Sequence, residues 1–202
     1  MKKKIGTITV LLIVAVLSAI GLYTRNQYST SRTAQTQTIE SRRNVKTKTL
    51  ILYYSNSGTT ETAAKEIQHE TGADLVAMQL SPEYPKDYEP LTQVAKKQIE
   101  DNTRPKITNL PNLADYHTIL LGFPTWYHQP PMFINTFFEQ ASIKGKTIIP
   151  FTTSMSSPMS ENTPFLEKMA QGTGAVLKDG FRANDEKTVH NYLRQAGLLT
   201  HS

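Results

Sequence analysis

The sequence has no cysteine. Disulfides, thiolate metal ligands, a cysteine nucleophile and a lipid-bearing cysteine are therefore excluded. That absence suits an exported protein and is equally allowed in the cytoplasm. The turn richest in hydroxyls, Ser55 to Thr60, lacks lysine, so it is not a nucleoside-triphosphate loop. It also lacks the Gly-x-Gly-x-x-Gly spacing of dinucleotide sites and the Gly-x-Ser-x-Gly form of a hydrolase elbow. No His–acid set is placed by the sequence to activate Ser55 or Ser57, which argues against a serine hydrolase. Tryptophan is nearly absent; the single one is Trp126.

Acidic residues are scarce in one part only. Residues 1–46 hold eight Lys/Arg and one acid, Glu40. Residues 47–202 hold 14 Lys/Arg and 16 acids, a balance of −2. The net +5 of the whole chain thus belongs to its first segment and gives no reason to expect nucleic-acid binding. Residues 5–23 contain no charge at all and follow a short basic start, Lys2-Lys3-Lys4. As a helix this run reaches roughly 28 Å, close to the ~30 Å hydrocarbon core of a bilayer. It reads as a signal peptide or a signal anchor. An uncleaved anchor is favoured, because Leu17 stands where a cleavage site wants a small residue. Basic residues flank both ends, so their count does not set the orientation, but the basic start predicts a domain outside the membrane. Residues 24–46 are polar and poor in apolar side chains, the composition of a tether.

From residue 47 the pattern alternates. Apolar, β-prone runs at 49–54, 73–80, 117–123, 146–153 and 174–183 predict strands. Helical spacing falls at 60–71, 90–102, 131–141, 161–172 and 185–196. Continuously apolar strands alternating with helices predict a three-layer, doubly wound α/β domain with a five-stranded parallel sheet. Ligands of such sheets sit beyond the carboxyl ends of the strands, and three loops there are unusual.

The first, Ser55-Asn56-Ser57-Gly58-Thr59-Thr60, lies between a strand and a helix. Helix-start amides and hydroxyls bind phosphate well; the plainer alternative is a helix cap by Thr59 or Thr60. The second, residues 122–132, carries Trp126 beside Pro124, Thr125, Tyr127 and His128. It reads either as a stacking platform for a flat ring or as an aromatic lid on the core edge. The third, residues 152–162, is rich in hydroxyls; Thr152, Thr153 and Ser154 are the candidates for a ring edge, and a plain surface loop is the alternative. Together the three describe a site for a phosphorylated flat heterocycle. His128 reads as facing solvent or a partner rather than as a proton donor. No second histidine lies at ligand spacing from it, so no metal is expected. His69, His117, His190 and His201 have no supporting context.

These motifs resemble the flavodoxin family over residues 48 to about 198. "YYSNSGTTETAAKEI" is similar to the family's phosphate loop, with Ser55, Ser57, Gly58 and Thr60 on its marked positions. "GFPTWYHQPP" resembles the loop that sets an aromatic ring against the flavin, the place Trp126 takes. "YPKDYEPLTQVAKKQIEDNTRPKI" is similar to a segment of the short bacterial flavodoxin-like proteins. The resemblance implies a sheet of order 2-1-3-4-5, non-covalent FMN and electron transfer with a redox partner protein or a small-molecule acceptor. Whether the chain is a carrier or a flavin-dependent reductase is left open by the sequence. The alternative is a non-redox binding module holding another phosphate-bearing ligand. Three features depart from the family pattern: a third loop built of Ser and Met, a mild domain charge, and the apolar segment that points to work at or outside the membrane.

Overall fold

The computed structural model describes residues 48–200. The expected anchor and tether lie outside the described residues, and no helix within them is long and apolar enough to cross a membrane.

The strands are β1 (Lys48–Tyr53), β2 (Asp74–Ala77), β3 (Leu80–Ser81), β4 (Lys106–Ile107), β5 (Tyr116–Pro124), β6 (Thr147–Thr153), β7 (Val176–Leu177) and β8 (Phe181–Arg182). The helices are α1 (Thr59–Thr71), α2 (Tyr88–Glu100), α3 (Phe133–Gln140), α4 (Thr163–Ala170) and α5 (Glu186–Gln195). The main sheet runs β2-β1-β5-β6-β7, with β8 also pairing with β6. Every pairing in it is parallel. Taking β7 and β8 as one interrupted strand gives the expected order 2-1-3-4-5.

Alternate strand residues face opposite layers, as the two-residue period requires. Leu50, Leu52, Ile119, Leu121, Phe123 and Ile148 pack with Leu91 of α2, with Phe133, Ile134 and Phe137 of α3 and with Leu166 of α4. Ile51, Tyr53, Leu120, Ile149 and Phe151 pack with Ala63, Ala64 and Ile67 of α1 and with Val189 and Leu193 of α5. Both faces of the central strands are dry, which explains why these runs read as continuous apolar stretches rather than alternating ones.

Two predicted strands are broken, each for a visible reason. The run 73–80 leaves the sheet after Ala77. The Asn109 side chain donates to the Ala77 carbonyl and accepts the Gln79 amide, at 2.8 and 2.7 Å. Leu80 then pairs antiparallel with Ile107 in a separate two-stranded ribbon. The run 174–183 splits because its partner β6 carries Pro150, which offers no N–H to a neighbouring strand. Lys178 donates to Ile148 and Ala183 to Thr152, so the edge pairs on either side of the proline. At Gly180, between the two halves, a Cβ would lie 2.6 Å from the Pro150 carbonyl oxygen.

Candidate functional site

Strands β1, β5 and β6 lie side by side and run the same way. The loops after them therefore emerge along one edge of the sheet. The chain passes from β1 to β2 on one side and later to β5 on the other, so this edge includes the point where strand order reverses.

In the first loop, Gly58 occupies the N-cap position of α1 at φ 90°, and no side chain caps the helix. The plainer alternative, a cap by Thr59 or Thr60, is thus not what the turn adopts. Thr60 instead turns its hydroxyl inward, 2.8 Å from that of Thr153. The Ser55 hydroxyl accepts the Gly58 amide at 3.1 Å, and the exposed hydroxyls of Ser57 and Thr59 lie 3.3 Å apart. The amides of Ser57, Thr59 and Thr60 find no acceptor among the described residues. Helix-start amides need an external partner unless a side chain caps them, so this turn presents free donors, a left-handed glycine and two rim hydroxyls. Asn56 looks the other way: its amide donates to the Pro85 carbonyl at 3.0 Å and its oxygen accepts the Tyr54 phenol at 2.9 Å.

The second loop is a tight hairpin. Trp126 and Gln129 exchange both backbone hydrogen bonds, at 3.1 and 3.2 Å. The two residues between, Tyr127 and His128, have φ of 51° and 61°. A left-handed conformation costs a side-chain-bearing residue about 1–2 kcal/mol, and here two occur in succession. Both side chains tether the turn. The Tyr127 hydroxyl donates to the Thr92 carbonyl of α2 at 3.0 Å, and His128 Nδ1 lies 2.9 Å from Glu161 Oε2. The half-buried Trp126 ring meets Tyr84 and Tyr54 edge-on, with centroids 4.9 and 6.3 Å apart. Burial pushes the Tyr54 phenol up to about 12, and the charge of Glu83 adds to it. Burial likewise raises Tyr84. Both phenols are therefore neutral hydrogen-bond donors at physiological pH.

The third loop is held from below. Thr152 and Thr153 are 0 and 3 % exposed. The Thr152 hydroxyl donates to the Phe123 carbonyl and lies 2.7 Å from that of Thr125, which also accepts the Asn162 amide at 2.9 Å. These threonines tie the bases of the three loops together beneath the surface, so the side chains of Thr152 and Thr153, expected beside a ring edge, lie below it. Ser154 remains partly exposed, its amide and carbonyl bracketed by the Asn184 side chain, and Arg182 donates to the carbonyls of Ser154 and Met155. Asn162 is fully buried, and its Oδ1 has no partner among the described residues.

The Thr60–Thr153 pair gives a direct check of this frame. Thr153→Val strands the buried Thr60 hydroxyl and should cost about 1–2 kcal/mol. Adding Thr60→Val should restore most of it, read as the midpoint of urea unfolding. A double variant no better than the single would contradict the pairing.

Sequence reading missed Tyr54, Tyr84, Glu161, Asn162, Arg182 and Asn184, whose partners lie far along the chain; only Tyr54, directly before the first loop, had a positional hint. A groove of about 480 Å³ lies beside the ring loop, bounded by Arg104, Gln129, Pro130, Phe165 and Lys168. It contains none of the predicted site residues and touches their hairpin only through Gln129. Elsewhere, Glu66, His69 and Glu70 bring three donor atoms within 4.8 Å of one another on α1, and His190 Nδ1 lies 3.0 Å from Glu70 Oε2. Helical spacing and the α1–α5 contact account for that group.

Comparison with known proteins bears on the family and the fold. A flavodoxin family model matches residues 48–195. A protein from Bacteroides eggerthii, provisionally described as a flavoprotein, is 30% identical, with a TM-score of 0.64 over 74% of this chain and 98% of its own. A second such protein, from Bacteroides uniformis, is 31% identical, with a TM-score of 0.62 over 73% and 97%. A flavoprotein from Lactobacillus acidophilus, solved in complex with FMN, is 26% identical, with a TM-score of 0.59 over 70% and 96%. No match was found among curated proteins. With the sheet order, the uncapped glycine turn and the family match over one and the same stretch, the chain belongs to the flavodoxin family.

Proposed function

We propose that the chain binds FMN non-covalently and transfers electrons, working as a tethered domain outside the membrane. The observation that carries the reading is the start of α1: a 13-residue helix with a left-handed glycine at its N-cap and no side chain on its first amides. A phosphate answers those donors, and the helix dipole favours its charge. The residues fit the rest of the cofactor as well. Trp126 offers aromatic surface at the neighbouring strand end, and the backbone of the third loop, fixed by Asn184 and Arg182, offers polar groups beside it. When bound, FMN supplies one- and two-electron chemistry. The chain's part is to grip the phosphate at Ser55–Thr60, orient the ring against Trp126 and keep water from one side of it. The tethered setting is supported by the uncharged run 5–23 and the polar stretch after it.

Titrating the purified, flavin-free chain with FMN tests this. Binding in the micromolar range or tighter, with quenched flavin fluorescence, is the expected result; no binding there overturns the proposal. Trp126→Ala should weaken FMN by roughly tenfold, because stacking on an aromatic side chain contributes about 1–3 kcal/mol. Turnover of a quinone or nicotinamide substrate would mark a reductase; rapid reduction by a partner without turnover would mark a carrier.

A further inference from the structure

We propose that His128 is a positioning residue: with Glu161 it clasps the Trp126 hairpin to the third loop and so fixes where Trp126 faces the site. The proposal rests on the FMN reading for its consequence but not for its geometry. Two successive non-glycine residues in the left-handed region persist only where the surroundings hold them. Here each sends its side chain to a different element. Tyr127 reaches the Thr92 carbonyl of α2, and His128 reaches Glu161 in the short 3₁₀ turn Met159–Glu161. The hairpin is thus pinned at two points. Ser157 completes the contact, its hydroxyl 3.3 Å from the same His128 nitrogen. Hydrogen bonds from Ser157 and then His128 hold Glu161 below the usual carboxylate range, so it is an anion at neutral pH. Because Ser157 and Glu161 share one ring nitrogen, the imidazole cannot take the serine proton at one nitrogen while the acid holds the other, as a hydrolytic triad requires. Its geometry suits holding.

The His128 side chain is 77% exposed, and an isolated pair at such a site contributes little. The clasp does not hold the turn alone: the Tyr127 bond to Thr92 and the Trp126–Gln129 backbone pair share the task, and the clasp adds the contact to the third loop. That turn carries the only tryptophan in the chain, so its position can be read directly.

The experiment uses the purified 202-residue chain with His128→Asn, Glu161→Ala and both. Asparagine tolerates the left-handed backbone but is too short to replace the imidazole. Acrylamide quenching of Trp126 fluorescence is measured without flavin, and FMN dissociation by stopped flow. Each single variant is expected to raise the quenching constant and to speed FMN release roughly two- to fivefold, with no further change in the double variant. Unchanged quenching in His128→Asn, or single effects that multiply in the double variant, would overturn the clasp. If the parent chain binds no FMN, the functional reading fails, while the quenching series still decides the clasp.

Discussion

Gly58→Asp is expected to lower FMN affinity at least about 100-fold while leaving the fold as stable as before. Space within the protein does not decide the outcome, since a Cβ at Gly58 meets nothing within 4 Å. What decides it is charge. A carboxylate roughly 5 Å from a phosphate, at an effective dielectric of about 40, repels each unit of its charge by about 1.7 kcal/mol. A phosphate group carries nearly two such units, so the penalty is about 3 kcal/mol, or two decades of affinity. The new side chain also stands at the N-cap, where aspartate accepts the very amides that the ligand needs. Capping and dipole stabilise the helix, while the φ of 90° at this position strains any residue but glycine. These two effects oppose each other and should leave the unfolding midpoint within about 1 kcal/mol of the parent. Riboflavin, which lacks the phosphate, is the control. Its affinity should change little in the variant, because the ring loop is untouched. Equal losses for FMN and riboflavin would show that the turn does not hold a phosphate.

Gly122→Ala is expected to destabilise the domain by about 3 kcal/mol or more. Gly122 on β5 stands opposite Phe151 on β6. A Cβ there would lie 2.2, 2.6 and 2.8 Å from three carbons of the Phe151 ring, closer than real contacts allow. The ring has no room to retreat. It is fully buried and stacks on Phe181, which in turn stacks on Tyr192, with centroids 6.0 and 4.1 Å apart. The backbone of β5 must move instead, and that strand end is the root of the ring loop. The Gly122 carbonyl also accepts the Tyr54 amide at 3.0 Å, just before the first loop. A shift there should loosen both loops, so FMN affinity should fall along with stability. Urea unfolding measures the first effect and FMN titration the second. Phe151→Leu placed on top of Gly122→Ala should recover part of the stability by yielding the space. A loss below about 0.5 kcal/mol for Gly122→Ala, the range of ordinary surface changes, would contradict the packing described.

Much of the domain was legible in the sequence because its signals are local. Continuous apolar runs marked the strands, helical spacing marked their covers, and a hydroxyl-rich turn with one glycine marked the end of the first strand. The lone tryptophan marked the loop after β5, and the lack of lysine in the first turn pointed away from a triphosphate. Each is a property of a few neighbouring residues, set by backbone period and turn chemistry.

Partners of individual side chains were not legible, because they join residues tens of positions apart. The tertiary structure alone left α1 without a side-chain cap and turned Thr60 to Thr153, 93 residues away. It buried Thr152 and Thr153 as supports, set His128 against Glu161, and brought His190 to Glu70 across two helices. It also broke two strands, one at Asn109's side-chain bridge and one opposite Pro150. The sequence by itself determined which loops carry hydroxyls and aromatics. Only packing decided which of those groups point outward, since a hydroxyl faces a ligand or a neighbour according to what the folded chain sets beside it.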